Sequence, residues 1–410
     1  MRGIQSNLSG LRQRQKLVEE LLRKARTSVE GAGAAASPAR TPLTRVTGFG
    51  SNPGNLGMLT YVPERLAPSP ALVVVLHGCT QSPEGYNDGA GWSDLADRHG
   101  FVLLFPEQTR ANNPKSCFSW FLPDDTARGS GEALSIRQMI ERAVEDHGID
   151  RSRIFVTGLS AGGAMAAAML AAYPEVFAAG AIIAGLPYGA AKNVQEALES
   201  MFQGRPRSAR EWGDLVRSAS SHQGEWPRVS IWHGATDHVV KPGNATELVK
   251  QWTDVHGLPA TPSERGLVAG HSREVWHDAS GTEIVESFAI VGMGHGTPLA
   301  TGEGEMEGGM AGAFMLDVGI SSSHHIARFF GLTAEVSESV PASPEAVVRP
   351  NASTRPGGLE GEILPPPRRE PKPDGADEHP EMPFGVPRTL PPEVLRVIRD
   401  AFEAAGLVKR

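Results

Sequence analysis

Short runs of consecutive apolar residues alternate with longer segments of helical periodicity between residues 44 and 332. Ala71–Leu76 and Phe101–Phe105 contain no polar position, which is typical of strands buried on both faces of a parallel sheet. Ser135–His147 places apolar residues at helical spacing and ends at Gly148, a natural helix terminator. Strands that alternate with helices in this way predict an α/β fold, with a mostly parallel central sheet and helices on both faces.

The same patterns predict the remaining elements of this domain. The other predicted strands are Leu56–Val62, Arg153–Thr157, Ala179–Ala184, Val229–Trp232 and, as the last strand, Glu283–Ile290. The other predicted helices are Trp92–His99, Glu247–His256 and His324–Phe330. His324 and His325, at the start of the last helix, are expected to be solvated.

The segment 186–226 lies between two predicted strands and is too long for a plain crossover. It contains two helical stretches, Val194–Phe202 and Ala209–Ala219. In this architecture it would lie over the carboxyl end of the sheet, so we expect a lid-like insert.

The segments that flank the domain at 44–332 differ from it in composition. Residues 1–30 carry leucines and valines at helical spacing among arginines and lysines, which predicts a basic amphipathic helix, and 31–43 is a small-residue linker. Residues 333–390 are rich in proline, lack apolar periodicity and are expected to be disordered. A short helix is predicted at 391–410.

The basic helix is expected to dock on the rest of the chain, and contact with a granule or membrane surface is the alternative. It lacks the apolar region and cleavage site of a secretory signal peptide. A cytoplasmic location is therefore the default expectation, and an extracellular location is the alternative.

Charge and composition exclude several classes of function. The net charge is −8, and no basic stripe is interleaved with aromatic residues, which argues against a nucleic-acid partner. The longest uncharged apolar stretch, Val176–Pro187, is too short for a transmembrane segment. Two cysteines, Cys79 and Cys117, cannot form a disulfide scaffold, and two free thiols are the default for a reducing compartment. Spacing alone leaves their pairing open.

The strongest chemical signal is the pentapeptide Gly158-Leu159-Ser160-Ala161-Gly162. It follows a β-branched strand and precedes an alanine-rich helix, which is the strand–GxSxG–helix layout of the nucleophile elbow in α/β-hydrolases. The serine must occupy a sharp, strained turn so that its hydroxyl projects above the sheet. Side chains two residues to either side would collide with neighbouring elements, so both positions require glycine. The predicted fold is therefore the α/β-hydrolase fold.

A serine nucleophile needs a base and an acid, which follow in the order acid then histidine in this fold. The best placed acid is Asp237, in a loop directly after a predicted strand, and the best placed base is His295, in a glycine-flanked loop after Glu283–Ile290. Neutral histidine accepts a proton near pH 7, as a general base must. Weaker candidates for the acid are Asp214, Asp254 and Asp278.

The oxyanion of a tetrahedral intermediate needs two N–H donors. One should be the backbone N–H of Ala161, directly after the nucleophile, and the other should come from the loop after Ala71–Leu76. That loop reads His77-Gly78-Cys79-Thr80-Gln81, and the N–H of Cys79 is the candidate because Gly78 permits the turn that directs it inward. His77 precedes the elbow and is expected to hold this loop.

Three aromatic residues, Trp120, Phe121 and Trp212, are candidates for lining an acyl pocket, with the protein core as the alternative. No HExxH, CxxC, EF-hand or phosphate-loop motif is present in the sequence, so no metal or cofactor is expected. The expected partner is an ester substrate.

Several longer segments make the chain similar to one known family. LVVVLHGCTQ (72–81), GWSDLADRHGFVLLFPEQ (91–108), CFSWF (117–121), RIFVTGLSAGGAMAAAML (153–170) and GMGHG (292–296) resemble the polyhydroxybutyrate (PHB) depolymerase family of esterases, which includes feruloyl and acetyl-xylan esterases. The resemblance covers about Thr44 to Leu332.

The resemblance implies an α/β-hydrolase fold and ester hydrolysis through an acyl-enzyme, with poly- or oligo-hydroxyalkanoate esters as substrates. Carried over residue by residue, it makes Ser160 the nucleophile, Asp237 the acid, His295 the base and Cys79 the oxyanion-loop residue. It also implies that Cys79 and Cys117 are bonded or in close contact.

Three other functions compete with this one. A feruloyl or acetyl-xylan esterase would use the same chemistry on plant polysaccharide, and a peptidase of the same fold would need a site for a substrate amine terminus. A non-catalytic protein of a granule surface would use the basic helix and the proline-rich segment for attachment.

Overall fold

The computed structural model describes residues 41–333. The predictions for the basic helix at 1–30, for most of the linker at 31–43, for the proline-rich segment after residue 333 and for the helix at 391–410 therefore lie outside the described residues.

Within residues 41–333, ten strands form one sheet in the order β1-β2-β4-β3-β5-β6-β7-β10-β9-β8. The strands are β1 Thr44–Val46, β2 Gly57–Tyr61, β3 Leu72–Leu76, β4 Val102–Glu107, β5 Ile154–Leu159, β6 Ala179–Ile183, β7 Arg228–Gly234, β8 Glu264–Val268, β9 His271–His277 and β10 Glu283–Ile290. In the middle of the sheet, the six strands β4, β3, β5, β6, β7 and β10 are mutually parallel. At one edge, β1 pairs with β2 and β2 with β4 in antiparallel fashion, and at the other edge β9 pairs with β10 and β8 with β9 in the same way.

Helices cover both faces of this sheet. They are α1 Pro83–Ala90, α2 Trp92–His99, α3 Pro123–Thr126, α4 Gly131–His147, α5 Ala161–Ala172, α6 Val194–Gln203, α7 Ala209–Arg217, α8 Gly243–Val255 and α9 Ser322–Phe329. Leu72 and Val74 of β3 join the core with α4, α5 and α8, while Val73 and Val75 join the core with α1, α2 and α9. Alternate side chains of one strand thus bury on opposite faces, as the unbroken apolar runs predict.

The insert at 186–226 contains α6 and α7, as predicted, and it packs against α8. The indole N–H of Trp212 in α7 donates to Glu247 Oε2 at 2.6 Å, and the backbone N–H of Tyr188 donates to Gln251 Oε1 at 3.0 Å. The function of this insert as a lid stays a prediction.

Strand β10 is not the last strand, which corrects the prediction. Two three-residue strands, β11 Thr297–Leu299 and β12 Met315–Asp317, pair in parallel beside the main sheet. Strands β8 and β9 form a hairpin. No pattern in the sequence predicts β8, because it lies at the sheet edge with most side chains exposed and so carries no apolar alternation.

His324 is buried and His325 is half-buried, whereas the prediction was that both are solvated. They lie within α9, where His324 is 5% exposed and His325 packs against the rings of Trp232 and Phe288. Burial lowers the pKa of both imidazoles to about 4, and burial does the same for His256 beside α8.

These three histidines predict a loss of stability in mild acid. Each pKa is lower in the folded chain than the value of about 6.5 in an unfolded chain, so their stabilising effect is complete above that value. It is lost as the pH falls toward 4. In urea unfolding measured between pH 7 and pH 4.5, the free energy of unfolding should decrease as the pH is lowered, and His256→Gln should make that decrease smaller. An unchanged slope in the variant would contradict this assignment.

Candidate active site

Ser160 lies on the tight turn between β5 and α5. Its φ is 57° and its ψ is −116°, a conformation that a residue with a side chain rarely adopts, and its N–H donates to Ile183 O at 2.9 Å. A Cβ on Gly158 would lie 2.5 Å from the carbonyl carbon of Gly162, and a Cβ on Gly162 would collide with the carbonyl oxygen of Leu76. Both glycines are therefore required by the close approach of β3, β5 and α5, as the sequence predicts.

Asp237 and His295 lie in two loops that follow neighbouring parallel strands, β7 and β10. The loops are hydrogen-bonded to each other. Ala235 N–H donates to Ile290 O at 2.9 Å, and both the N–H and the hydroxyl of Thr236 donate to Met293 O, at 3.0 and 2.8 Å. The carboxyl ends of parallel strands meet at one sheet edge, so residues widely separated in the chain become neighbours.

The three predicted triad side chains form one hydrogen-bonded chain. His295 Nε2 lies 2.9 Å from Ser160 Oγ, and His295 Nδ1 lies 2.7 Å from Asp237 Oδ2. With Asp237 ionised, Nδ1–H donates to the carboxylate, which leaves Nε2 unprotonated to accept from the serine hydroxyl. This is the tautomer that a histidine needs in order to act as a general base toward a serine.

The Asp237 carboxylate is held in place by its own loop. Its side chain is fully buried, and Oδ1 accepts from the N–H groups of Val239 at 2.8 Å and Val240 at 2.9 Å. Burial acts to raise the pKa of Asp237, but hydrogen bonds from His233 and His295 outweigh it and hold the pKa well below its ordinary value. The carboxylate is therefore ionised at neutral pH and can stabilise an imidazolium.

The two predicted oxyanion donors lie at the ends of neighbouring elements near the serine. Ala161 is the first residue of α5, where backbone N–H groups have no partner within the helix, and Cys79 lies just past the carboxyl end of β3, the neighbour of β5. Within the described residues, neither N–H donates to another protein group.

Cys79 and Cys117 form a disulfide, so the default expectation of two free thiols is wrong and the pairing implied by the family resemblance is present.

The candidate pocket residues separate into two groups. Trp120 and Phe121 are half-buried, and their rings meet edge to face at a centroid distance of 5.5 Å. Trp120 also packs against a small apolar cluster that includes Ala164 of α5 and Val240 of the loop that carries Asp237. Trp212 belongs to the same cluster but is 1% exposed, and its N–H is bonded to Glu247. The prediction that Trp212 lines the pocket is therefore wrong for direct contact, because its ring is covered.

The other acid candidates have surface roles. Asp214 pairs with Arg210 and Arg217, and Asp254 also pairs with Arg217. Asp278 accepts hydrogen bonds within its own turn.

Phe314 is a residue of the site that no sequence pattern indicates. Its ring meets the His295 imidazole edge to face at a centroid distance of 6.1 Å, and its side chain is 38% exposed. Its φ is 61°, which is strained for a bulky residue, and its carbonyl accepts from Thr297 N at 2.8 Å. Its position in a glycine-rich loop, 19 residues after His295, carried no periodic or motif signal.

No group of three or more His, Cys, Asp or Glu residues in the described part of the chain is arranged to hold a metal ion. None of the helices described here is long and apolar enough to cross a bilayer.

Residues 58–277 match the family model described as esterase PHB depolymerase. This chain belongs to that esterase family. Over 291 residues it is 46% identical to poly(3-hydroxyalkanoate) depolymerase C of Paucimonas lemoignei, which covers 71% of this chain and 70% of that protein. It is 35% identical over 261 residues to feruloyl esterase B of Thermothelomyces thermophilus, covering 62% of this chain and 88% of the relative.

Among solved structures, the acetyl xylan esterase from Aspergillus awamori matches this esterase with a TM-score of 0.61 and 26% identity, over 72% of this chain and all of that one. The predicted α/β-hydrolase fold and the predicted class of enzyme, a carboxylic ester hydrolase, are confirmed.

Breaking the disulfide should weaken catalysis by this esterase. Cys117→Ser frees the loop that carries the Cys79 N–H, so kcat for p-nitrophenyl butyrate should fall about 10-fold, part of the effect of losing one oxyanion donor. Stability should fall by about 2–4 kcal/mol. Cys79→Ser breaks the same bond, so the variant with both substitutions should lose no more activity or stability than either single variant. Additive losses would show that each thiol acts separately.

Removing the Phe314 ring should lower kcat/KM about 2- to 10-fold, because an edge-to-face aromatic contact that orients the imidazole is lost. Phe314→Ala and Phe314→Gly should lose activity equally. The glycine variant should be about 1–2 kcal/mol more stable than the alanine variant, since φ is positive at this position. Wild-type kcat/KM in both variants would exclude a role for the ring.

Proposed function

We propose that this enzyme hydrolyses poly- or oligo-hydroxyalkanoate esters through an acyl-enzyme formed on Ser160. The observation that carries the proposal is the unbroken chain of contacts from Ser160 Oγ through the His295 imidazole to Asp237, at 2.9 and 2.7 Å. Ser160 is half-buried and lies at the carboxyl edge of the sheet, directly after β5.

In the first half of the reaction, Ser160 Oγ attacks the ester carbonyl carbon while its proton passes to His295 Nε2. The Asp237 carboxylate keeps the Nδ1–H bond and stabilises the imidazolium. When the tetrahedral intermediate collapses, the bond to the alcohol oxygen breaks and the alcohol takes the proton from Nε2. Water then attacks the acyl-enzyme with the same proton transfers and releases the carboxylic acid.

The negative oxygen of the intermediate would be bound by the N–H groups of Cys79 and Ala161. An N–H that has no other acceptor and is already directed at the developing charge contributes about 3–4 kcal/mol in the transition state. Ala161 adds the positive end of α5, the helix whose first residue it is.

Two observations support hydroxyalkanoate esters as the substrate class. The similarity to the Paucimonas lemoignei depolymerase, at 46% identity, is higher than that to the feruloyl esterase quoted above. Apolar side chains also stand beside the reacting groups, since Phe314 contacts His295 and Val239, two residues after Asp237, is 41% exposed. An aliphatic polyester presents apolar surface between its ester groups.

A feruloyl or acetyl-xylan esterase is the second candidate. The similarity to the feruloyl esterase and the structural match to the acetyl xylan esterase favour it. Both candidates use the same triad, so only the acyl and alcohol groups distinguish them.

Contact with a granule through residues 1–30 also stays a proposal, because these residues lie outside the described part of the chain. The Cys79–Cys117 disulfide favours an oxidising compartment, which supports the extracellular alternative.

The proposal is tested with four substrates: p-nitrophenyl butyrate, 3-hydroxybutyrate oligomers, methyl ferulate and acetylated xylan. The oligomers should give the highest kcat/KM, and Ser160→Ala should lower kcat at least about 10⁴-fold. A fluorophosphonate probe should label Ser160, as found by peptide mapping.

Higher kcat/KM on methyl ferulate or acetylated xylan would replace the substrate assignment by the second candidate. Activity that persists in Ser160→Ala would overturn the mechanism. Granule binding by a wild type without any activity would favour the non-catalytic alternative.

A further inference from the structure

Beside the triad lies a buried polar network that takes no part in the proton transfers. It joins the loop of Cys79 to the loop of Cys117 through His77, Gln108 and Glu132, side chains that are all 2% exposed or less. Buried polar groups in folded proteins are almost always hydrogen-bonded. Here the hydrogen-bond partners lie on the two loops, in the segment after β4 and at the start of α4.

The first link is the His77 imidazole, which lies between β3 and Cys79. Its Nδ1 is 2.8 Å from Gly78 O, and its Nε2 is 3.2 Å from the backbone N–H of Gln108. Gly78 O can only accept and the N–H can only donate, so the ring is neutral with its proton on Nδ1. Burial lowers the pKa of His77, which agrees with a neutral ring.

The second link runs from Gln108 to Glu132 at the start of α4. Gln108 Nε2 donates to Glu132 Oε1 at 2.5 Å, while Gln108 Oε1 accepts from Thr109 N at 3.1 Å and Asn112 Nδ2 at 2.8 Å. The amide orientation is thereby determined, because its oxygen faces two donors and its nitrogen faces a carboxyl oxygen.

The third link returns to the disulfide. Glu132 Oε2 accepts from the N–H of Ser119 at 2.8 Å, and Ser119 lies two residues after Cys117. Thr80 N–H, directly after Cys79, also donates to Lys115 O on the Cys117 loop. Side chains, backbone and disulfide together form a closed circuit of contacts that includes Cys79.

We propose that Glu132 is a positioning residue for ester hydrolysis, which acts through Gln108, His77 and Ser119 to hold the Cys79 N–H at the oxyanion site. This inference rests on the proposed function, since it assumes that the Cys79 N–H binds the oxyanion. Glu132 itself touches neither Ser160 nor the substrate.

The test begins with Glu132→Gln, which keeps size and burial but presents an amide nitrogen to one of two N–H donors, so one contact is lost. We expect kcat for p-nitrophenyl butyrate to fall about 10- to 100-fold, with KM changed less than about twofold, because an oxyanion donor acts mainly in the transition state. Burial and the charge of Asp125 raise the pKa of Glu132 to about 8, so assays are run at pH 9, where the wild-type group is ionised.

The second readout is the inhibition constant of phenylboronic acid. Ser160 Oγ forms a bond to boron, its proton passes to His295, and one oxygen of the tetrahedral adduct occupies the oxyanion position. The inhibition constant should rise in Glu132→Gln in parallel with the fall in kcat. A general loss of stability would not produce this parallel change.

The swap Gln108→Glu with Glu132→Gln is the rescue experiment. In the double variant, the carboxylate at 108 can accept from Thr109, Asn112 and the amide at 132, and the amide oxygen at 132 can still accept from Ser119. All the hydrogen bonds of the second and third links are therefore available again. We expect the swap to recover at least half of the lost activity on a logarithmic scale, although Gln108→Glu alone is impaired.

Glu286→Gln is the matched control. Glu286 is a glutamate of equal burial, 2% exposed, but its partners Ser230 and Arg273 lie on β7 and β9, away from the Cys79 loop. It should lower the melting temperature and leave kcat and the inhibition constant near wild type. Equal losses of kcat in both glutamate variants, or a swap without rescue, would overturn the positioning role.

The outcomes separate this inference from the proposed function. If Ser160→Ala stays active and phenylboronic acid does not inhibit the wild type, the esterase mechanism is wrong. If both behave as expected while Glu132→Gln has wild-type kcat and inhibition constant, only the positioning role is wrong.

Discussion

The site depends on one close approach of backbones at the end of β5. Ser160 can stand above the sheet only because the chain reverses there within one residue, at a positive φ. That reversal brings Gly158 and Gly162 against each other and against β3, leaving no room for a Cβ at either position. The strain is offset by α5, whose twelve residues are all buried between the sheet and its neighbours.

The same sheet edge determines where Asp237 and His295 lie. β7 and β10 are adjacent in space although β8 and β9 separate them in the chain, because those two strands form a hairpin on the far side of β10. Hydrogen bonds from Ala235 and Thr236 then join the two loops directly. The carboxylate and the imidazole are thus positioned by backbone contacts, and little side-chain freedom is left to be lost when the substrate binds.

The loop that is proposed to bind the oxyanion is held differently. Among residues 41–333, no strand pairs with the loop of Cys79, which is tethered by the disulfide and by the buried polar groups of His77, Gln108 and Glu132. Buried polar side chains destabilise a fold when they lack hydrogen-bond partners, so these three side chains can be buried only because each of them is hydrogen-bonded. The same hydrogen bonds hold the loop in place. Catalysis by preorganised donors requires this rigidity.

The sequence by itself determined the features that depend on neighbouring residues in the chain. The apolar runs of β3 and β4, the bounds of α2 and the glycines around Ser160 are local requirements, and the family resemblance added the pairing of Cys79 with Cys117. Tertiary structure alone decided four features: the place of β8 at the sheet edge, the burial of Trp212, the contact of Phe314 with His295 and the network of Glu132. Each of these features depends on a contact with a residue far away in the chain, so no periodicity or motif around the residue itself predicts the feature.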